Sequence, residues 1–454
     1  MIIGRNKELD QLCTYYDRDN SQILVLYGKK YIGKTALIKE FMSDKPGFYF
    51  KCDPASEREQ KYRFGAYFAG LGIKTLKYPE FSDVFECFGA THTQKKVIVF
   101  DEFQNLIKSC PDFMNELISF IHSSWNNQEY LVILSSSSVG FVENSLVSKI
   151  GEAAFELSGF LKVKELTFND LRDYFSLYTN EDCAMVYSIL GGCPGLWKMF
   201  DEKLSVKENI IKNIVSDNGP LHEVALNLLS DELRETGVYN TILLALSEGK
   251  NKLNELYEHT GFSRAKISVY IKNLMELEFV SKSFSVETGG KDNALKGIYN
   301  ISDKFLDFYY SFIFGNASFF EFRSAEEFYS LHIQPSLKGY VNKYFYEICK
   351  EYLERLNERS KLPIKVERFG RWLGKQGTID IIGEAESGQN ILAICVYDKA
   401  MLTYDDYEWL LYCSKKAGIS PDYLYLFSGS RFDEKLTLEC KVRKNLKLLL
   451  LDNL

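Results

Sequence analysis

The residues Gly28-Lys29-Lys30-Tyr31-Ile32-Gly33-Lys34-Thr35 carry the most explicit chemistry in this 454-residue chain. They fit the pattern G-x-x-x-x-G-K-S/T at every fixed position. The glycines let the backbone curl so that its N–H groups face phosphate oxygens at a helix N-terminus. Lys34 is expected to reach the β/γ-phosphates and Thr35 to hold Mg²⁺. Gly28, Tyr31, Ile32, Gly33, Lys34, Thr35 and Ala36 are therefore candidate nucleotide-binding residues. The bland alternative is a chance Gly/Lys-rich turn. The flanks weigh against it, because an apolar strand (Ile23 to Tyr27) enters the loop and an amphipathic helix leaves it.

A second motif, "KVIVFDE" (96–102), is an apolar strand ending in adjacent acids. Asp101 at the strand tip suits Mg²⁺ through water, and Glu102 suits a base that polarises the attacking water. A strand ending in Asp-Glu is by itself usually a solvated turn; downstream of a phosphate loop it is a specific partner. A third element, "LVILSSSSVGF" (131–141), ends in hydroxyls, and one of Ser136 to Ser138, with Ser137 taken as the candidate, could sense the γ-phosphate or orient water. Without the other motifs it would read as a Ser-rich turn. Candidate catalytic residues are thus Glu102, Lys34 and Ser137, and candidate metal ligands are Thr35 and Asp101.

Short apolar runs position these groups. "QILVLYG" (22–28), "GFYFKC" (47–52), "KVIVFDE", "YLVILSSS" (130–137) and "FELSGF" (155–160) read as strands separated by amphipathic helices. That alternation predicts a parallel sheet covered on both faces. The whole chain is too long for one core. With 46% hydrophobic and 26% charged residues it reads as globular, and its 15% aromatics read as core filling. A net charge of −7 argues against a chain-wide nucleic-acid or membrane coat, without excluding one basic face. No long uncharged apolar run exists, so no membrane partner is expected. The 10 cysteines are scattered without a CxxC pair behind a charged start, as expected of reduced thiols in a cytoplasmic protein. The five His form no HExxH.

The segment Ile3-Gly4-Arg5-Asn6-Lys7-Glu8-Leu9, the phosphate loop, "DEFQNL" (101–106), the Ser-rich strand end and "GGCPGL" (191–196) follow in this order. Together they resemble the archaeal-type ATPases, a clade of the STAND and AAA+-related P-loop NTPases, over roughly residues 1–315. The resemblance implies binding of ATP or ADP with Mg²⁺. It places Gly4, Arg5 and Glu8 near the adenine, and it brings Gly191, Gly192 and Pro194 to the pocket from a helical lid. One departure matters. Where the family commonly has Gly-Arg after its fifth strand, this chain has Gly159-Phe160. A guanidinium at the transition state is worth about 10³-fold or more, so fast turnover needs a substitute such as Arg5 or a partner's Arg.

Residues 252–282 read as a helix-turn-helix followed by a strand. Gly261 stops the first helix, Ser263 caps the second, and Ile267, Ile271, Leu274 and Leu277 form its buried face. A strand from Phe279, a Gly289-Gly290 loop and a return strand to Tyr299 would make a wing. Arg264, Lys266 and Lys272, with Ser268 and Asn273, are candidate nucleic-acid contacts. The competing reading is a rigid spacer or protein-contact module, since Glu276 and Glu278 lie nearby.

Residues 336–454 resemble the domain of unknown function that follows this ATPase, which is similar to restriction-endonuclease folds of the PD-(D/E)XK type. Glu347 fits the family's helical Glu and Asp380 its first-strand carboxylate. Where the family has Glu-Cys-Lys, this chain has Ile394-Cys395-Val396. Aliphatic side chains neither bind Mg²⁺ nor polarise a phosphate, so the site is expected to be degenerate unless Asp398 or Lys399 moves into it. The predicted architecture is α/β: a P-loop ATPase core (1–164), helical lid (165–235), winged helix (236–315), connector (316–335) and nuclease-like domain (336–454). The predicted function is a nucleotide-dependent switch whose arms bind DNA or protein. The alternatives are a nucleotide-gated nuclease with a relocated metal site and a DNA-binding regulator with structural nucleotide.

Overall fold

A computed structural model of the chain describes residues 2–89, 95–123, 129–286, 297–320 and 322–454. They form two compact units: Met1–Leu166 with Cys193–Gly195, and Thr167–Gly192 with Leu196–Leu454.

In the first unit, β1 (Gln22–Tyr27), β2 (Gly47–Lys51), β3 (Lys96–Asp101), β4 (Tyr130–Ser136) and β5 (Gly159–Lys162) form a sheet in the order β2-β3-β4-β1-β5. Every pairing is parallel. The continuous apolar runs of β1, β3 and β4 are buried along their whole length, as a sheet covered on both faces requires. Register aligns Tyr27 with Ser136 and Asp101 with Ser135, so the ends that carry the loop, the acids and the serines lie on one edge. Much of the aromatic content fills this core: Phe50 touches Phe64, Phe68, Phe88 and Phe100 ring to ring.

The fifth strand differs from the expected "FELSGF". Gly151–Glu156 is a 3-10 helix, and β5 begins only at Gly159. Phe155 is 89% exposed, so its apolar character reports no core face. Gly159 starts the strand where a Cβ would meet the Tyr15 hydroxyl at 2.1 Å.

In the second unit, the helices Phe168–Tyr174 and Asn180–Leu190 both open with capping boxes, Thr167 with Asp170 and Thr179 with Asp182. The first is also held by Glu351, whose carboxylate accepts from the Phe168 backbone N–H at 2.8 Å. Helices Thr236–Ser247, Leu253–Thr260 and Arg264–Glu276 follow, then antiparallel β6 (Val280–Ser283) and β7 (Ile298–Ile301). Gly261 takes the left-handed conformation (φ 71°), and the Ser263 hydroxyl caps the third helix through Lys266 N–H. Ile267, Ile271 and Leu274 are buried, and Leu277 is half-buried. The Gly289-Gly290 loop lies outside the described residues.

The stretch expected as a connector is helical, with turns at Phe314–Phe319, Ala325–Phe328 and Tyr329–Ile333, and Phe328 and Ile333 are fully buried. After it comes a 22-residue helix, Leu337–Glu358. A mixed sheet follows: β8 (Arg368–Leu373), β9 (Thr378–Glu384), β10 (Asn390–Val396), β11 (Tyr423–Ser428) and β12 (Leu446–Leu450), ordered β12-β11-β10-β9-β8. β8, β9 and β10 pair antiparallel, whereas β10, β11 and β12 pair parallel. Helix Tyr404–Ala417 supplies Tyr407, Leu410 and Cys413 to the same core as Ile379, Leu392 and Leu424. All ten cysteines lie among the described residues, and none of them is in a disulfide. No helix among the described residues is long and apolar enough to cross a membrane.

Candidate functional site

The phosphate loop is fixed from behind. Gly28 continues the β1–β4 ladder through its N–H to the Ser136 carbonyl (3.2 Å), and a Cβ there would sit 2.5 Å from the Val163 carbonyl oxygen. Gly33 is left-handed (φ 96°) and immediately precedes helix Lys34–Phe41. Arg5 is 2% exposed, and its guanidinium donates to the Ile32 carbonyl (2.7 Å), the Lys164 carbonyl (2.7 Å) and Glu8 (2.8 Å). These bonds make Arg5 a buried tie between loop, first helix and strand exit. Lys29 is paired with Glu165.

The GGCPG turn divides. Pro194 lies against the loop, 3.2 Å from where a Gly33 Cβ would stand, and Gly195 N–H donates to the Tyr31 carbonyl at 2.8 Å. Tyr31 holds a positive φ of 63°. Gly191 and Gly192 belong to the second unit, where Gly191 ends helix Asn180–Leu190.

Lys34 is 6% exposed and its ammonium donates to the carbonyls of Gly28 (2.8 Å) and Lys29 (3.1 Å). Burial lowers its pKa, and the nearby Glu102 and Asp101 oppose that shift. Thr35 Oγ1 donates to Asp101 Oδ2 at 3.3 Å, while Ala36 follows half-buried in the helix. The sequence thus brings loop, hydroxyl and carboxylate together.

Two partners were not legible beforehand. The Tyr49 hydroxyl, on β2, donates to the same Asp101 Oδ2. Burial, and next the Asp101 carboxylate, push the Tyr49 phenol pKa up. Gln104 Nε2 donates to Glu102 Oε2 at 2.5 Å. The same oxygen accepts from Ser137 Oγ (2.6 Å) and Ser137 N–H (3.2 Å). Ser137 therefore holds Glu102 directly. Glu102 itself sits in the left-handed region (φ 57°) just before helix Phe103–Ser109. The sequence signals neither partner: Gln104 stands in the first turn after the acids, and Tyr49 lies on a strand whose neighbour only the sheet order reveals.

Phe160 lies within β5, aligned with Val25 and 49% exposed. It offers no donor where the resemblance led to an expected Arg.

On the helix-turn-helix, Arg264 donates to Asn254 (2.9 Å) and stacks 4.2 Å over Tyr257. Lys266 lies over Phe262 and Tyr270, and Lys272 is 3.7 Å from Glu276. Ser268 and Asn273 bond to the Arg264 carbonyl and the Tyr239 hydroxyl. The cations share an exposed helix, but none projects as an uncommitted charge.

In the C-terminal domain, Glu347, Asp380, Ile394 and Val396 converge on one cavity of about 520 Å³. Lys304 pairs with Glu347 at 2.7 Å, and Arg371 lies 3.4 Å from Asp380. Asp380 also accepts from Cys395 N–H at 3.0 Å. Burial raises its pKa, against the opposing pull of Arg371. Asp398 is exposed and Lys399 pairs with Asp406 at 2.5 Å; neither lines the cavity. Among the described residues no group of three or more His, Cys, Asp or Glu is arranged to hold a metal ion.

A parallel sheet of order 2-3-4-1-5, a phosphate loop after β1 and Asp-Glu at the tip of β3 define a P-loop NTPase. Residues 2–200 match the family described as an ATPase domain predominantly from Archaea. Residues 240–282 match the helix-turn-helix of the bacterial regulatory proteins of the arsR family, and 309–402 match a family described as archaeal and bacterial proteins of unknown function. The chain is 28% identical over 446 residues to an uncharacterized protein of Methanocaldococcus jannaschii, covering 97% of this chain and 98% of that one. An uncharacterized ATP-binding protein of the same archaeon is 36% identical over 45 residues, 10% of this chain and 76% of its own. Among solved structures, the Walker-type ATPase of Pyrococcus abyssi superposes with a TM-score of 0.51 at 16% identity, covering 68% of this chain and 96% of that chain.

Proposed function

We propose that the protein is an ATP- and Mg²⁺-dependent molecular switch whose output is binding by its winged helix and C-terminal domain. The observation that carries this reading is the Lys34 ammonium curled onto its own loop carbonyls beside the Thr35–Asp101 pair. An incoming β/γ-phosphate offers Lys34 better acceptors. Mg²⁺ needs only one or two protein oxygens plus phosphates, and Thr35 and Asp101 would supply them. When bound, the ion neutralises charge on the phosphates. Glu102 would orient and deprotonate water, with Ser137 fixing it. The missing Arg at Phe160 favours slow turnover, and Arg5 is already engaged by backbone carbonyls. Two nucleotide states that differ at the γ-phosphate can then bias the rest of the chain. Lys34→Ala should abolish ATP and ADP binding in titration calorimetry. Unchanged affinity would sink the assignment, and rapid turnover in the wild type would replace the switch with an ordinary ATPase.

For the C-terminal domain, a leading helix (Leu337–Glu358), an antiparallel β8–β10 meander and parallel β10–β12 with helices between them support a nuclease-like ancestry. Its remaining carboxylates face Lys304 and Arg371, and the geometry gives a relocated nuclease site no support. A second reading, a DNA-binding regulator, is favoured by the match to arsR-type helix-turn-helix proteins. Gel shifts with Arg264→Ala, Lys266→Ala and Lys272→Ala test it; retention unchanged by all three would remove it.

A further inference from the structure

The cavity that gathers Glu347 and Asp380 is lined on its other side by the wing: Ser281, Ser283 and Asn300 of β6 and β7 border it together with the C-terminal sheet. The wing is packed there. Ser285 accepts from Leu373 N–H at 3.2 Å, and a Cβ on Gly370 would stand 2.4 Å from a Val286 methyl. A duplex cannot lie across a face walled in this way, but a small molecule fits about 520 Å³.

The charges decide what kind. Each carboxylate that a metal would need already faces a fixed cation, Lys304 for Glu347 and Arg371 for Asp380. Ile394 and Val396 stand beside them, so a dication gains little here. Arg371 is the group with capacity to spare. Its guanidinium stacks 3.8 Å from the Tyr346 centroid, and Nε is buried without a partner. Nη2 makes one long 3.4 Å contact, and Nη1 makes no hydrogen bond among the described residues, on a side chain that is one-third exposed and lines the cavity. A guanidinium edge in a partly enclosed pocket ringed by hydroxyl and amide groups is built for an oxyanion.

We propose that this cavity is a second ligand site, separate from the phosphate loop, which takes a small molecule through a phosphate or carboxylate group on Arg371. Its polar remainder contacts Ser281, Ser283 and Asn300. Such a ligand touches wing and sheet at once and stabilises their packing. The site stands independently of how the phosphate loop is used.

Thermal unfolding of the full chain, with Mg²⁺-ADP present throughout, tests it. Ribose 5-phosphate and citrate are the oxyanion probes, and ribose is the uncharged control. The expected result is a saturable rise in Tm with at least one oxyanion probe and none with ribose. A response to ribose 5-phosphate alone assigns a phosphate ester, and a response to citrate alone a carboxylate. Arg371→Met should weaken the apparent affinity about tenfold or more. Ile394→Phe, which fills the cavity from β10, should remove the response if Arg371→Met does not fold. No rise with either probe, or a rise that persists in both variants, overturns the proposal. Lys34→Ala should leave the response intact, which separates this site from the nucleotide reading.

Discussion

Gln104 and Glu102 are joined by a 2.5 Å hydrogen bond from Nε2 to Oε2, and Ser137 donates twice to that same oxygen. A carboxylate only accepts, so the Gln104 amide must present its N–H side to Glu102. Its Oε1 is then left buried without a partner among the described residues. Three donors on Oε2 hold the carboxylate still while leaving Oε1 available to water. Glu102→Gln should therefore retain ATP while cutting single-turnover hydrolysis by about 10²-fold or more. Gln104→Leu and Ser137→Ala should each slow hydrolysis about tenfold with nucleotide affinity unchanged, because they loosen the base rather than the phosphate cradle. Equal rates in the wild type and all three variants would show that this carboxylate is not the base.

Asp101 has two donors on one oxygen, Thr35 and Tyr49. Tyr49→Phe should leave a 4%-exposed carboxylate short of a donor and destabilise the nucleotide-free protein by about 1–3 kcal/mol. Mg²⁺ at Asp101 would compensate, so the loss should shrink when Mg²⁺-ADP is bound. Denaturant unfolding with and without Mg²⁺-ADP checks this, and an equal loss in both conditions would deny Asp101 its metal role.

The phosphate loop and its acids were legible because their chemistry needs fixed residue types at fixed short spacings. Gly28, Gly33, Lys34 and Thr35 announce themselves, and an apolar strand ending in Asp101-Glu102 follows. Tyr49 was not legible, since its meeting with Asp101 depends on the β2–β3 register, which aligns Lys51 with Asp101. Gln104 reads as any polar residue in a helix's first turn. Boundaries suffer similarly: the apolar Phe155 reads as part of the fifth strand, although it faces solvent. In the C-terminal domain Glu347 and Asp380 could be placed by resemblance, but the cations opposite them could not. Lys304 comes from a different element, and Arg371 reaches Asp380 only through the β8–β9 pairing.

Arg5 gives a prediction that separates structure from nucleotide contact. Its three bonds are made inside the protein, to Ile32, Lys164 and Glu8. Arg5→Met leaves two backbone carbonyls and a carboxylate without donors and should cost about 3 kcal/mol or more in nucleotide-free protein. Arg5→Lys should rescue little, because one ammonium cannot reproduce a planar fork spanning separate acceptors. Chemical denaturation measures the loss. Full stability with weakened ATP binding would instead place Arg5 on the nucleotide.

Asp380 ties stability to pH with a definite sign. Burial raises its folded pKa above the ordinary value, Arg371 notwithstanding. The folded state therefore holds this proton more tightly than the unfolded chain does. That contribution is complete below the unfolded Asp value, about 4, and is lost as pH rises through the raised folded value. Asp380→Asn removes the titration while keeping an oxygen that can accept from Cys395 N–H. The variant should lose less stability than the wild type between pH about 4 and neutrality, and its Tm at neutral pH should equal or exceed the wild-type value. Differential scanning calorimetry across that range reads the two slopes. A steeper decline in Asp380→Asn would mean that the ionised carboxylate is held by Arg371 more strongly than burial opposes it.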